Sequence, residues 1–186
     1  MYEQVIVAGF GGQGVLTCGQ ILALAAMAEG KYVTWMPSYG PEQRGGTASC
    51  VVTLSDRPIG SPLAENPTAA LVFNRPSLAK FEPRVKPGGL LLINSSIIRA
   101  HHQRADLVSY RVPADDTARR MGLAKAANIV MLGAYLAVSK VVSSGAVETA
   151  LRQYLGDKKQ HLVEVNLKAL AAGQDFVTDS GVAVGI

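Results

Sequence analysis

Gly9, Gly11 and Gly14 are spaced G-x-G-x-x-G, directly after the apolar run Val5-Ile6-Val7-Ala8 and directly before a helical stretch. Glycine at such a junction permits a tight turn. Without a Cβ, the backbone N–H groups at the helix N-terminus can approach a phosphate or another anion. The same glycines would also arise if they did no more than let a helix pack closely on a strand. A dinucleotide site asks for an acidic residue at the end of the second strand, where it would hold ribose hydroxyls. That segment reads Trp35-Met36-Pro37-Ser38, and Glu29, at about the right count from Gly9, falls at the end of the preceding helix. An NAD- or NADP-dependent reductase is therefore disfavoured, whereas an adenine nucleotide or coenzyme A stays open.

Arg44-Gly45-Gly46 closes a loop, 37–46, that holds two prolines and three glycines and cannot be regular structure. In an α/β sheet this loop should emerge at the same carboxyl edge as Gly9 to Gly14, the edge where ligands bind. A forked cation beside exposed backbone N–H groups suits a phosphate or carboxylate. The alternative is an arginine that pairs with Glu42 or with a partner chain.

The remaining chemical side chains point to structure. Cys18 lies among apolar helix neighbours with no histidine near it in sequence, which favours a core thiol over a nucleophile. His101-His102, beside Arg99 and Arg104, read as a solvated connection because two histidines without further ligands do not make a metal site. Asp115-Asp116 reads as an N-cap pair. Asn128, inside an apolar helix, needs a partner in the core or across a subunit interface.

These residues must be positioned by a strand at 5–8, a helix at 15–28 closed by Gly30, and a strand at 32–36 stopped by Pro37, which together predict a βαβ unit with a parallel pair. Further strands are expected at 47–54, 69–73 and 89–93, with an edge strand at 107–112. Helices are expected at 77–81, 124–142, 146–155 and 161–172, the last stopped by Gly173, with a short turn at 117–121 and a tail from Thr178 that frays or docks. The sum is one domain, 1–186, an α/β fold: a Rossmann-like three-layer α/β/α sandwich on a mostly parallel sheet, with mixed pairing expected at 47–54.

Composition sets the outer limits. With 186 residues, 48% hydrophobic and 17% charged, the chain folds, and the low charged share points to surface buried in an assembly. A net charge of +4, scattered along the chain, argues against nucleic-acid binding. Two cysteines cannot hold an iron–sulfur cluster, so any cluster chemistry belongs to another chain. The N-terminus has no signal-like n-region and the longest nearby apolar run, 21–28, is too short for a bilayer, so a cytoplasmic location is expected.

Taken together, Gly9-Phe10-Gly11-Gly12-Gln13-Gly14-Val15, the 37–48 loop with Ser38-Tyr39-Gly40-Pro41-Glu42-Gln43-Arg44-Gly45-Gly46, and Asn128-Ile129-Val130-Met131-Leu132-Gly133-Ala134 resemble the gamma subunit of 2-oxoacid:ferredoxin oxidoreductases. Pro58-Ile59-Gly60-Ser61-Pro62, Lys86-Pro87-Gly88-Gly89 and Asn166-Leu167-Lys168-Ala169-Leu170 extend the resemblance over nearly the whole chain. Indolepyruvate oxidoreductases have a related chain, but the Ser38 to Glu42 segment favours the first group. The resemblance implies a non-autonomous enzyme subunit. Alpha and beta chains would bind the 2-oxoacid, thiamine diphosphate and Mg, and a ferredoxin-like delta chain or segment would carry iron–sulfur clusters. The implied reaction is oxidative decarboxylation of a 2-oxoacid, with 2-oxoglutarate as the expected acid, to acyl-CoA with reduction of ferredoxin. It assigns no catalytic or metal residue to this chain, and it assigns coenzyme A binding to Gly9, Gly11, Gly12, Gln13 and Gly14 and to Gln43, Arg44, Gly45 and Gly46. Related single-chain enzymes carry lysines where Gln43 and Arg44 stand. The alternatives are a purely structural subunit of that complex and a nucleotide-binding regulatory protein.

Overall fold

The computed structural model describes residues 1–40 and 46–180, without the side chains of 179 and 180; Pro41, Glu42, Gln43, Arg44 and Gly45 lie outside the described residues. Six strands form one sheet: β1 (Tyr2–Phe10), β2 (Tyr32–Tyr39), β3 (Thr47–Ser55), β4 (Ala69–Val72), β5 (Leu90–Asn94) and β6 (Val108–Val112). Their order is β2-β3-β1-β4-β5-β6. Strands β1, β4, β5 and β6 run parallel, while β3 is antiparallel to both β1 and β2. The sheet is thus mixed at β3, as its sequence position suggested.

Two strand expectations are corrected. Strands β1 and β2 do not pair, because β3 lies between them and matches β1 along its full length, from Tyr2↔Ser55 to Phe10↔Thr47. Pro37 does not stop β2, which runs on to Tyr39 with Pro37 opposite Cys50. The missing N–H is tolerated because β2 is the sheet edge and needs ladder bonds on one side only.

Helices α1 (Val15–Ala28), α3 (Ala114–Arg120), α4 (Ala127–Ser139), α5 (Ser144–Leu155) and α6 (Val163–Ser180) share one large core with Val5 and Val7 of β1. Helix α2 (Arg75–Phe81) lies on the other face, where Leu78 packs with Val72 and Ile93, and Phe81 with Ile6 and Ala8. Two short 3-10 turns, Glu82–Arg84 and Asp157–Leu162, complete the described elements. The α/β/α layering therefore holds, with unequal outer layers. None of the described helices is long and apolar enough to cross a membrane.

Helix α4 is buried from Ala127 to Leu136 because it is sandwiched between the sheet and α6. Gly173 does not end α6, which continues to Ser180. It marks instead where α6 crosses α4: a Cβ at Gly173 would run into the carbonyl oxygen of Val130, and one at Gly133 into the carbonyl oxygen of Leu170. The two glycines let the helix backbones touch.

Asp115 and Asp116 sit in the first turn of α3 and do not cap it; Pro113 holds the N-cap position. The Asp116 N–H donates to Ser96 Oγ (3.0 Å), and Asp115 accepts from the buried Asn94 side chain. His102 is held by Ser109 Oγ (2.8 Å) and the Arg104 carbonyl (3.1 Å). Among the described residues no cluster of His, Cys, Asp and Glu could hold a metal ion.

Candidate anion-binding site

Helix α1 leaves β1 toward one face and α2 leaves β4 toward the other, so the carboxyl ends of β1 and β4 flank the crevice where open α/β sheets place ligands. In this chain Gln13 spans that crevice. Its Oε1 accepts from Phe10 N–H (2.7 Å) at the end of β1, and its Nε2 donates to the Phe73 carbonyl (3.2 Å) beyond β4. The Gln13 amide also turns back, to the Phe10 carbonyl (3.1 Å). The side chain and amide of Gln13 are therefore used in bracing the loop.

The open volume lies on the other side of the loop, toward β3. A cavity of about 580 Å³ is lined by Gly11, Gly12, Gly14, Val15, Leu16 and Thr17, with Tyr39 and Ala48 opposite. It includes the first turn of α1, a fourteen-residue helix whose N-cap, Gly14, has φ 72° and which no side chain among the described residues caps. Its free N–H groups and the positive end of its dipole face the cavity, a ready receptor for negative charge. No carboxylate lines it among the described residues.

The glycines divide into two kinds. A Cβ at Gly9 would lie 2.6 Å from Gln13 Oε1 and 2.9 Å from both Phe73 and Val15, so Gly9 serves packing. Gly14 combines a positive φ with the Asn128 side chain 2.6 Å from where its Cβ would stand. Asn128 Nδ2 donates to the Gly14 carbonyl (3.1 Å), which resolves its partner in favour of an interior bond tying α4 to the loop. Gly12, an unspecified position of the G-x-G-x-x-G pattern, has φ 97° and nothing within 4 Å of a Cβ. It is a loop residue with room beside it.

The second predicted segment reaches the same edge. The Gly11 N–H donates to the Gly46 carbonyl (2.9 Å), and the Gly40 N–H to the Thr47 carbonyl (3.4 Å), so the described ends of the 37–46 loop adjoin the glycine turn as expected. Gln43, Arg44 and Gly45 lie outside the described residues. Sequence reasoning passed over Tyr39, Thr17 and Ala48. Tyr39 is 69% exposed, and an aromatic placed directly before Gly40 at the carboxyl edge was the available signal. Glu29 stands at the C-cap of α1, where it pairs with Lys31 and accepts from the Ser143 N–H (2.7 Å), away from this site.

Cys18 and Cys50 belong to the same core cluster, both fully or almost fully buried. Burial pushes the Cys18 thiol far up, and pushes Cys50 up to about 12. A thiol held neutral in the fold stabilises below the unfolded-state value of about 8.5 and loses that contribution as pH rises above it, since the unfolded chain then ionises alone. Alkylation at pH 8 should therefore modify neither cysteine until denaturant is added, and native stability should fall between about pH 8.5 and 10 less steeply in a Cys18→Ala variant. Rapid native labelling would overturn the core assignment.

Residues 4–176 match the family described as pyruvate ferredoxin/flavodoxin oxidoreductase. The chain is 40% identical over 176 residues to ketoisovalerate oxidoreductase subunit VorA of Methanothermobacter marburgensis, covering 93% of this chain and 36% of that protein. It is 31% identical over 186 residues to 2-oxoglutarate synthase subunit KorC of the same organism, covering 96% and 98% respectively. The chain thus spans about a third of the length of the first relative and nearly all of the second. Among solved structures, it is similar to the gamma subunit of a keto/oxoacid ferredoxin oxidoreductase from Geobacter sulfurreducens (TM-score 0.80, 30% identity, 95% of this chain and 99% of that one). It also shares the fold of part of the 2-oxoglutarate:ferredoxin oxidoreductase from Magnetococcus marinus with 2-oxoglutarate, coenzyme A and succinyl-CoA bound (TM-score 0.86, 21% identity, 99% of this chain and 32% of that one).

Proposed function

The chain belongs to the pyruvate ferredoxin/flavodoxin oxidoreductase family as a gamma-type subunit, and from that premise we propose that it forms part of the coenzyme A site of a 2-oxoacid:ferredoxin oxidoreductase. The observation that carries this reading is the cavity between the N-terminus of α1 and Tyr39, lined by Gly11 and Gly12, with neither a capping side chain nor a carboxylate among the described residues. Loop and helix N–H groups would receive the diphosphate there. Arg44, with Gln43, Gly45 and Gly46, is proposed to supply further contacts to it. The Magnetococcus marinus enzyme, which shares this fold, was solved with coenzyme A bound.

The rest of the reaction is assigned to partner chains. Alpha and beta subunits would bind the 2-oxoacid with thiamine diphosphate and Mg, and a ferredoxin-like delta chain or segment would hold the iron–sulfur clusters. This chain's own task is to hold the acyl acceptor in place. A cytoplasmic complex fits that role.

Arg44→Ala tests the reading. A charge-assisted hydrogen bond to phosphate is typically worth about 1.5–3 kcal/mol, so the apparent KM for coenzyme A should rise roughly ten- to a hundredfold. The KM for the 2-oxoacid should stay near its original value. If coenzyme A saturation is unchanged while the complex dissociates, Arg44 is an interface residue and the subunit is structural.

A further inference from the structure

Resting on the coenzyme A reading of the glycine-loop cavity, we propose that a second cavity, where the carboxyl end of β2 meets the amino end of β3, receives the ribose 3′-phosphate of the same ligand. Lys80 supplies its charge, and Tyr39 stacks the adenine beside the ribose that joins the two anion positions. The second cavity, of about 320 Å³, is lined by Ser38, Thr47, Ser49, Ser77 and Lys80 and shares Tyr39 and Ala48 with the first.

Strand geometry explains how the two volumes meet. Tyr39 is paired with Ala48 and Ser38 with Ser49. Side chains alternate along a strand, so Tyr39 and Ala48 share the α1 face while Ser38 and Ser49 share the α2 face. The cavities therefore lie on opposite faces of the sheet and join around its end, at Tyr39. This ring is among the most exposed large side chains of the fold, and a base can stack on an exposed aromatic face whatever its hydrogen-bonding edge.

The second cavity has the chemistry of a phosphate receptor. Hydroxyls rotate to donate one hydrogen bond each, and a lysine ammonium donates three as a compact charge. The cavity contains no carboxylate among the described residues. Other cavities of the fold do: Glu29 stands in one beside Lys31, Glu82 in another beside Arg104, and Asp56 in a third beside Arg57. In the first two the cation is already engaged, Lys31 by Glu29 and Arg104 by Asp106. Lys80 has no carboxylate within 4 Å among the described residues, and its ammonium lies 5.2 Å from the Phe81 ring centre. Two anion receptors flanking one aromatic ring match a ligand whose ribose joins a 5′-diphosphate to a 3′-phosphate and carries a base that can stack on the ring.

Dephospho-coenzyme A, which lacks only the 3′-phosphate, makes the test selective. Binding of both compounds is measured by calorimetry on the assembled complex, with wild-type chain and with Lys80→Gln, an exposed position where the change leaves the core untouched. The wild type should prefer coenzyme A by roughly tenfold or more, and Lys80→Gln should remove that preference by weakening coenzyme A alone. Tyr39→Ala should weaken both compounds about equally. A Lys80→Gln variant that retains the wild-type preference overturns the 3′-phosphate assignment, and Tyr39→Ala without effect overturns the platform. If the wild-type complex binds neither compound, the coenzyme A reading itself fails and the subsite with it.

Discussion

Gly12→Asp should abolish productive coenzyme A binding at ordinary concentrations while the protein still folds. Gly12 lines the cavity, has φ 97°, and has nothing within 4 Å of a Cβ. Steric cost is therefore small, and the backbone strain for an aspartate, one of the residues that visits positive φ most readily, is roughly 1–2 kcal/mol. Electrostatics dominates. A carboxylate about 4 Å from a phosphate repels it by on the order of 4 kcal/mol near a protein surface, and at 1.4 kcal/mol per tenfold that is more than a hundredfold in apparent KM. Gly12→Asn has nearly the same size and backbone preference without the charge, so it should cost tenfold or less. Steady-state kinetics at varied coenzyme A with both variants gives the answer. Equal behaviour of the two would mean that the loop does not face an anion.

Gly133→Ala and Gly173→Ala should both destabilise the fold, against the usual trend for glycine in a helix. Alanine in a helix interior ordinarily gains about 1 kcal/mol over glycine. Here each added methyl meets backbone of the crossing helix: Val130 carbonyl and, at 2.9 Å, the Ala134 nitrogen for Gly173; Leu170 carbonyl and, at 3.1 Å, its Cα for Gly133. Backbone cannot rotate away, so α4 and α6 must separate and give up the packing of Met131, Leu132 and Ala134 against Ala169 and Leu170. Overpacking of this kind costs typically 1–3 kcal/mol, and with no side-chain relief we expect about 3 kcal/mol for each. For a chain of this size that lowers Tm by roughly 6–12 °C. The double variant should lose less than the sum, because the first separation makes room for the second methyl. Thermal and urea unfolding monitored by circular dichroism would measure all three, and an unchanged or raised Tm in either single variant would refute the close crossing.

The helix and strand types followed from local chemistry. Val15–Ala28 was readable as a helix because an apolar stretch without proline begins at a glycine turn and ends at Gly30. Ala69–Val72 and Leu90–Asn94 were readable as covered strands because they are apolar on both sides of the pleat. Pairing was less legible. Nothing in Tyr32-Val33-Thr34-Trp35-Met36 says that β3 will insert between it and β1, since the competition between a parallel and an antiparallel neighbour is settled by contacts remote in sequence. Gly173 was misread for the same reason. A glycine late in an amphipathic helix looks like a stop unless the crossing helix is known.

At the site, sequence placed the glycine turn and the described ends of the 37–46 loop on one sheet edge, because strand direction decides which end each loop leaves from. It could not sort the glycines by task, since Gly9, Gly12 and Gly14 differ only in what stands next to them in space: Phe73 and Gln13, open volume, and Asn128. Nor could it show that Gln13 would fill the β1–β4 crevice and leave the cavity to Tyr39 and the start of α1. By itself the sequence determined the elements, the family resemblance and the sheet edge where the candidate site lies, because those depend on periodicity, turn chemistry and motif spacing. The tertiary structure decided strand order, the α4–α6 contact and which atoms face the cavity. Each of those depends on residues distant in the chain competing for the same few ångströms.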